Sequence, residues 1–267
     1  MACTLPPHEL ERLAIAATGR TRAALLACPA LTPGEQSRLD ALVGRRLAGE
    51  PLQYLEGRVP FGPVEVRVDR RALIPRPETE QLWEVAVGLL GEAGPGTPLV
   101  DVGTGSGALA LALKAAFPTA PVYGTDVSPA ALQLAGENAA TAGLELTLLE
   151  GDLLNPLPAA LRGRVEMIVS NPPYVSEADW AVLPDEIRLH EPREALVAGP
   201  EGTEVLARLA DAAYWWLGVG GWLVCEIGET QGAAALGLFA AYEREVRLDL
   251  AGRPRFLVAR RGAPCCR

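Results

Sequence analysis

The sequence predicts an α/β protein in which a mostly parallel sheet follows a small N-terminal helical unit. From residue 99 onward, short apolar strands alternate with helical segments, which is typical of a parallel sheet covered by helices on both faces. The last two predicted strands, 245–250 and 255–259, are joined by only four residues, 251–254. A link this short cannot contain a crossover helix, so the last strand must run antiparallel to the one before it.

The elements of this sheet can be placed from apolar runs and capping residues. The predicted strands are 99–102, 122–126, 144–149, 165–169 and 222–227. Between them, the sequence predicts helices over 108–116, from the Ser128-Pro129 cap to Gly143, and over 203–217.

The part of the chain before the sheet divides into helices and a hairpin. Apolar residues recur at helical spacing between residues 8 and 55, and Thr32-Pro33-Gly34-Glu35 has the pattern of a helix start with a capping box. Val64, Val66 and Val68 alternate with charged residues, which predicts a β-hairpin. The predicted units are a helical domain over 1–57, a β-hairpin linker over 58–75 and an α/β domain over 76–267.

The composition limits the classes of function. Of the 267 residues 49 % are apolar, and the formal net charge is −9. Because phosphate contacts need a basic surface, the acidic balance weighs against direct binding of nucleic acid. No apolar run approaches the length of a membrane span, and the first residues lack the pattern of a secretory signal.

The cysteines indicate the redox environment. They are odd in number and scattered, at Cys3, Cys28, Cys225, Cys265 and Cys266. This spacing weighs against a disulfide framework or a zinc site, so we expect no metal and a location in the reducing cytoplasm. Cys265-Cys266 could bind metal or carry lipid, but an incidental tail is favoured.

A glycine-rich loop follows the first predicted sheet strand. It reads Asp101-Val102-Gly103-Thr104-Gly105-Ser106-Gly107, and glycines there allow positive φ and close approach of a ligand to the backbone. Asp126 ends the second strand, where a carboxylate can accept both ribose hydroxyls, and Asp152 ends the third, where it could accept from an adenine amino group. Three strand ends thus point into one crevice and predict adenosine binding.

Together with the antiparallel end of the sheet, this pattern resembles the class I S-adenosylmethionine-dependent methyltransferases, which have a Rossmann-like fold. The resemblance implies S-adenosylmethionine as cofactor and S-adenosylhomocysteine as product. It also implies that the glycine loop, with Thr104 and Ser106, faces the methionine part of the cofactor and that Asp101 lies near its ammonium group.

The segment Ser170-Asn171-Pro172-Pro173-Tyr174 follows the fourth predicted strand. Two prolines make this loop stiff and remove two N–H groups. An amide nitrogen is a poor nucleophile, so a methyl acceptor of this kind must be positioned. Asn171 Oδ1 and the Pro172 carbonyl can accept its two N–H bonds, while Tyr174 can pack on its flat group. Positioning of this kind can lower the activation free energy by roughly 7–11 kcal/mol, and no general base is required.

The whole chain is similar to the HemK-type protein-(glutamine-N5) methyltransferases, which modify peptide chain release factors. Beyond Asn171 to Tyr174, the sharper match is Leu73-Ile74-Pro75-Arg76-Pro77-Glu78-Thr79-Glu80. Two further segments match the usual sequence of the family: Pro51-Leu52-Gln53-Tyr54-Leu55-Glu56-Gly57 and the stretch from Leu248 to Phe256. The resemblance implies transfer of a methyl group to the glutamine of the Gly-Gly-Gln motif in class I release factors.

The resemblance also assigns roles and shows departures. It places Asn171 at the cofactor as well as at the substrate, and Asn171 to Tyr174 around the glutamine, and it makes residues 1–57 a substrate-recognition domain. Arg76 and Glu78 are further candidate substrate contacts. The alternative is that the Arg76–Glu80 segment only braces the site, because Pro75 and Pro77 would stiffen it. The position after Asp152 is often aromatic in the family and packs on adenine, whereas here it is Leu153. The family usually has one more N-terminal helix, and residues 8–27 align with its second.

Several alternatives remain open on the sequence. An amino-methyltransferase acting on adenine N6 or guanine N2 of a nucleic acid, or on a ribosomal-protein glutamine, would share the Asn171-Pro172-Pro173-Tyr174 chemistry. A nicotinamide-dependent oxidoreductase is allowed by the glycine pattern, but nothing supplies a hydride-transfer site. A non-catalytic binding module is disfavoured by the intact segment. For the preferred reading we expect a monomer that binds release factors and no membrane.

Overall fold

The computed structural model describes residues 5–263, so Cys3, Cys265 and Cys266 lie outside the described residues. The N-terminal unit consists of α1 (Pro7–Thr18), α2 (Arg22–Ala27), α3 (Pro33–Leu47) and α4 (Leu52–Glu56). These helices pack around a small apolar core of Leu13, Leu52 and Leu55. The predicted helix start is confirmed, because Thr32 and Glu35 form a complete capping box at the start of α3.

A hairpin of β1 (Arg58–Phe61) and β2 (Val64–Arg67) follows, as predicted. Its apolar side chains join the core of the sheet rather than that of the N-terminal helices, and Phe61 is 1 % exposed. The open edge of β2 is held by Asn138, whose Oδ1 accepts from Arg67 N at 2.8 Å and whose Nδ2 donates to Arg67 O at 3.1 Å. The hairpin is therefore a structural part of the α/β unit, and the predicted boundaries at residues 57 and 75 stay predictions.

The α/β unit contains most of the chain. Its helices are α5 (Pro77–Leu90), α6 (Ala108–Ala116), α7 (Pro129–Ala142), α8 (Glu177–Trp180), α9 (Asp185–Arg188), α10 (Glu204–Trp216) and α11 (Gly232–Leu238). Its strands are β3 (Leu99–Val102), β4 (Val122–Asp126), β5 (Thr147–Glu150), β6 (Val165–Ser170), β7 (Val175–Ser176), β8 (Val197–Gly199), β9 (Leu217–Glu226), β10 (Glu243–Leu248) and β11 (Pro254–Arg260).

Seven of these strands form one sheet in the order β5-β4-β3-β6-β9-β11-β10. The pairs from β5 to β9 are parallel, whereas β11 runs antiparallel to both β9 and β10. The predicted fold class is confirmed, including the antiparallel last strand. Successive residues of β3 alternate between two cores, since Leu99 packs with α5 and α6 while Val100 packs with α10 and α11.

Two regions differ from the sequence prediction. β9 begins at Leu217 instead of residue 222, because it crosses a register irregularity opposite β6. A Cβ atom on Gly221 would lie 2.8 Å from Val165 O, so only glycine allows this approach of the two strands. The sequence pattern predicts no element for residues 171–202, which contain a two-stranded parallel sheet of β7 and β8 together with α8 and α9. We call residues 171–203 the excursion.

No helix among residues 5–263 is both long enough and apolar enough to span a bilayer.

We predict that Phe61→Ala lowers the free energy of unfolding by about 3–5 kcal/mol, as expected for an aromatic side chain removed from a packed core. Urea denaturation of the full chain, followed by circular dichroism, measures the change. Leu250→Ala is the control, because Leu250 is 92 % exposed and its truncation should change stability by less than about 0.5 kcal/mol. Equal stability of the two variants would contradict the assignment of the hairpin to the sheet core.

Candidate functional site

A cavity of about 270 Å³ opens at the carboxyl ends of the parallel strands, where open α/β sheets bind ligands. Eleven of the residues predicted for the site line it: Asp101, Gly103, Thr104, Gly105, Ser106, Asp126, Asp152, Leu153, Asn171, Pro172 and Pro173. The predicted residues that do not line it are Gly107, Tyr174, Arg76 and Glu78. The other walls come from residues 71–75 after the hairpin, from the excursion, and from individual residues of α5, α6, α7 and α10 near the strand ends.

The glycine loop connects β3 to α6 as predicted, and Gly103, Gly105 and Gly107 all have positive φ. Gly103, with φ +71°, would carry a Cβ atom into open space, so its backbone is accessible from the cavity. Gly107, with φ +82°, serves packing instead, because a Cβ there would lie 3.1 Å from Ala135 Cβ on α7. The first part of the loop therefore faces the cavity, and its end holds two helices together.

Asp101 is the most deeply buried carboxylate of the cavity, with 1 % exposure. Its Oδ2 accepts from Thr104 Oγ1 at 2.7 Å and from Ala110 N at 3.1 Å, whereas its Oδ1 has no hydrogen-bond partner among the described residues. Burial raises the pKa of Asp101 to about 7. A buried acceptor of this kind suits a cationic donor in the cavity.

Asp126, at the end of β4, is held in place by two backbone amides. Its Oδ2 accepts from Gly105 N and its Oδ1 from Ser128 N, both at 2.9 Å. Burial raises the pKa of this carboxyl above its usual value, and the amides oppose the rise. A carboxylate has about four acceptor positions, so each oxygen can still accept a hydroxyl group.

Asp152 and Leu153 line the cavity beyond β5, but in a way that the sequence did not predict. The Asp152 carboxylate forms an ion pair with Arg208 of α10, which competes with the predicted contact to an adenine amino group. Leu153 has φ +49° and is the one non-glycine residue with positive φ in the range 5–263. Its side chain is half-buried against the α10 side of the core, which gives the cavity an apolar wall at this point.

Asn171 directly follows β6, and its side chain is anchored at one end. Asn171 Nδ2 donates to Thr79 Oγ1 at 3.0 Å, and Thr79 Oγ1 donates to Glu226 Oε2 at 2.7 Å. No described residue donates a hydrogen bond to Asn171 Oδ1 or to the Pro172 carbonyl oxygen. Both predicted acceptors are therefore available to a ligand in the cavity.

Tyr174 lies outside the cavity wall and faces the end of β9. Its hydroxyl donates to Glu226 Oε1 at 3.1 Å, and its carbonyl oxygen accepts from Gln231 Nε2 at 2.9 Å. Burial, with the neighbouring Glu226 carboxylate, raises the pKa of this phenol above its usual range. In this structure Tyr174 supports the loop from behind, and its predicted packing on a substrate stays a prediction.

Arg76 and Glu78 also make structural contacts. Arg76 Nη2 donates to Glu191 Oε1 at 2.5 Å, and the Glu191 side chain is only 1 % exposed. Glu78 lies 3.8 Å from Arg253 in the turn between β10 and β11. These pairs connect the start of α5 to the excursion and to the sheet edge, so neither side chain faces the cavity.

Two residues behind Asn171 were missed from the sequence: Thr79, which contacts it, and Glu226, which contacts Thr79. Thr79 lines the cavity, and it lies within the Leu73–Glu80 segment, which carries the sharper sequence resemblance. Glu226 is 1 % exposed at the end of an apolar strand, and a carboxylate after Val224-Cys225 is an unusual residue for such a position. That charge in an apolar run was the signal that could have found it.

Within the described range, no group of three or more His, Cys, Asp or Glu side chains is arranged to hold a metal ion. The expectation of a metal-free site stays an expectation.

Two family models match the chain. The model described as "PrmC N-terminal domain" matches residues 2–57, and the one described as "Methyltransferase small domain" matches residues 89–201. The first corresponds to the N-terminal helices α1–α4, and the second extends from the end of α5 through the cavity-lining strands into the excursion.

Solved structures with a similar fold include two methyltransferases. One is a methyltransferase from Pyrococcus furiosus, with a TM-score of 0.55 and 16 % identity over 75 % of this chain and 90 % of that one. The other is the 16S rRNA N2 G1207 methyltransferase of T. Thermophilus, with a TM-score of 0.55 and 21 % identity over 76 % of this chain and 49 % of that one. At these identities the likeness concerns the fold alone.

Curated relatives share much more of the sequence. The release factor glutamine methyltransferase of Deinococcus radiodurans is 46 % identical over 86 % of this chain and 81 % of its own length. The protein of the same name from Moorella thermoacetica is 42 % identical over 96 % of this chain and 92 % of its own. These matches confirm the resemblance drawn from the Leu73–Glu80 and Asn171–Tyr174 segments, and the chain belongs to the family of release factor glutamine methyltransferases.

Proposed function

We propose that this protein transfers a methyl group from S-adenosylmethionine to the side-chain amide nitrogen of the glutamine in the Gly-Gly-Gln motif of class I release factors. The observation that carries the proposal is Asn171, which lines the cavity with its amide oxygen unengaged while its nitrogen is anchored. The names of the curated relatives support the same reaction and do not favour a nucleic-acid or ribosomal-protein substrate.

The residues of the cavity fit S-adenosylmethionine. The orphaned Oδ1 of Asp101 suits the ammonium group of the methionine part, and Asp126 retains acceptor positions for the ribose hydroxyls. Leu153 offers an apolar surface for the adenine ring. When bound, the cofactor supplies an electrophilic methyl group.

The substrate amide is oriented by two acceptors on one stiff loop. Asn171 Oδ1 and the Pro172 carbonyl oxygen take one N–H each, which holds the amide nitrogen and leaves one face of it toward the methyl donor. Because Pro172 is buried and proline fixes its own φ, this carbonyl loses little entropy when it binds. The loop contributes positioning, so no side chain has to remove a proton before transfer, and the methylated amide cation then releases a proton to water.

The proposal includes the setting of the reaction. The helices α1–α4 would recognise the folded release factor, because a single neutral amide gives the loop little selectivity. We expect a monomeric enzyme in the cytoplasm, where the two described cysteines, Cys28 and Cys225, would remain the free thiols seen here.

The test is to incubate the protein with a class I release factor and methyl-labelled S-adenosylmethionine. Peptide mass spectrometry should locate a single added methyl group on the glutamine of the Gly-Gly-Gln loop. A release factor with that glutamine changed to alanine is the matched control and should take up no label. Label in added tRNA, rRNA or DNA, or on a ribosomal protein instead, would contradict the proposal.

A second prediction concerns the charge of Asp101. With a pKa of about 7, this carboxyl is largely protonated below neutral pH, and a cationic ligand must displace that proton. The affinity for S-adenosylmethionine should therefore rise up to about tenfold per pH unit between about pH 5.5 and about pH 7. Asp101→Asn should bind more weakly and lose this slope, which isolates the carboxyl from titration of the ligand itself.

Calorimetry in two buffers of different ionisation enthalpy measures the proton count directly. Wild-type protein should release a proton when it binds the cofactor near pH 6, whereas Asp101→Asn should release less. The same proton release from both proteins would show that Asp101 does not face the ammonium group.

A third prediction concerns Asn171. Asn171→Ala removes one of the two substrate acceptors, so kcat should fall by about a hundredfold or more, as expected for a lost orienting group. The dissociation constant of S-adenosylmethionine should change much less. Single-turnover methylation at saturating substrates provides the comparison, and near wild-type transfer by the variant would exclude the amide-clamp mechanism.

A further inference from the structure

We propose that Thr79 and Glu226 are positioning residues that select one of the two amide orientations of Asn171, with its oxygen toward the cavity. The inference deepens the proposed function and rests on it, since it concerns how the substrate clamp is held. Neither residue has to touch the substrate glutamine for this role.

The hydrogen bonds of Tyr174 and Thr79 to Glu226 each have only one possible direction. Glu226 Oε1 and Oε2 are contacted by two hydroxyls, from Tyr174 at 3.1 Å and from Thr79 at 2.7 Å. A carboxylate can only accept, so both hydroxyls must donate to it. Thr79 has one proton and gives it to Glu226, which leaves only lone pairs on Thr79 Oγ1 for Asn171.

The direction of the Thr79 hydrogen bond determines the orientation of the Asn171 amide. A lone pair on Thr79 Oγ1 can pair with the amide NH2 of Asn171 but not with its oxygen, and the observed Nδ2 contact of 3.0 Å agrees with this. The oxygen must then point away from Thr79, toward the ligand. An amide rotated by half a turn would present N–H groups to the N–H groups of the substrate, which cannot bind each other.

Several charged and polar groups face the Glu226 carboxyl. Arg255 of β11 is the cation near it, and the other facing groups are the Tyr174 hydroxyl, the Glu78 carboxyl of α5 and the thiol of the adjacent Cys225. Burial, at 1 % exposure, raises the pKa of Glu226 above its usual value, whereas its two hydroxyl donors and Arg255 oppose this rise by stabilising the carboxylate. Arg255 shares its charge with Asp249, because its Nε atom lies 3.7 Å from Asp249 Oδ2, so the two hydroxyl donors are the direct partners of Glu226.

The main experiment compares Thr79→Val with Thr79→Ser in the full-length protein. Valine keeps the shape of threonine and removes the hydroxyl, whereas serine keeps the hydroxyl. We expect kcat for release factor methylation to fall about tenfold to a hundredfold in Thr79→Val and to stay within about threefold of wild type in Thr79→Ser. The dissociation constant of S-adenosylmethionine, measured by calorimetry, should change by less than about threefold in both.

A double-mutant comparison separates positioning from general damage to the fold. If Thr79 acts only through Asn171, Thr79→Val should cause no further loss of kcat in an Asn171→Ala background. A residue that merely stabilises the fold would lower activity by the same factor in both backgrounds. Tyr242→Phe is the matched control, because it removes one buried hydrogen bond, to Ala210 O at 2.7 Å, away from the cavity. It should lower the melting temperature without changing kcat.

Glu226→Gln provides an independent test of the inference if Thr79→Val does not fold. A glutamine can donate to Thr79 through its NH2 group, so Thr79 can then donate to Asn171 Oδ1 and the amide loses its unique orientation. We expect a kcat between those of wild type and Asn171→Ala, with cofactor affinity retained. Wild-type activity in both Thr79→Val and Glu226→Gln, or additive losses with Asn171→Ala, would overturn the inference. Absence of methylation by the wild-type protein would instead refute the proposed function.

Discussion

The structure depends on the parallel pairing of the central strand β3 with β4 on one side and β6 on the other. In this register Val102 lies opposite both Thr125 and Ser170, so the three strands end at the same level. The residues that follow them, Gly103, Asp126 and Asn171, therefore meet at one edge although they are far apart in the chain. A shift of one residue in either pairing would turn these side chains to the opposite face of the sheet.

Three buried carboxylates at this edge show how burial is used in different ways. Glu191 is neutralised by Arg76, and Glu226 is satisfied by two hydroxyl groups with Arg255 nearby. Asp101 has one oxygen without a hydrogen-bond partner among residues 5–263, and burial raises its pKa to about 7. A buried, incompletely paired carboxylate is costly for the folded protein, which is the expected mark of a group that awaits a ligand.

The excursion completes the cavity and is connected to the rest of the chain by charges. Arg76 holds Glu191 from the start of α5, and Arg46 of α3 lies 3.2 Å from Glu186 of α9. Arg70, after the hairpin, lies 2.9 Å from a ring nitrogen of His190. The Arg70–His190 contact is a hydrogen bond at the surface, and an ion pair with an exposed partner such as Glu186 contributes little to stability. Arg76 instead pairs with a fully buried Glu191 side chain, and this pair fixes the position of the cavity wall.

The sequence by itself determined the fold class, the cavity edge and the residues of the glycine loop. These depend on local patterns, because strand periodicity, glycines with positive φ and a proline-stiffened Asn171 loop can be read over a few neighbouring residues. Its misreadings were also local in origin. Residues 218–221 were assigned to no element, although their glycines allow β9 to lie close to β6.

Only the tertiary structure decided the partners of the site residues. The Asp152–Arg208 pair joins the turn after β5 to α10, and Thr79 and Glu226, 147 positions apart, meet behind Asn171. The Tyr174 hydroxyl likewise faces Glu226 instead of the cavity, because a hydrogen bond between a hydroxyl and a buried carboxylate gives both groups a partner. Such pairings connect residues that are distant in the chain, and a pattern of neighbouring residues does not predict which distant residues will meet.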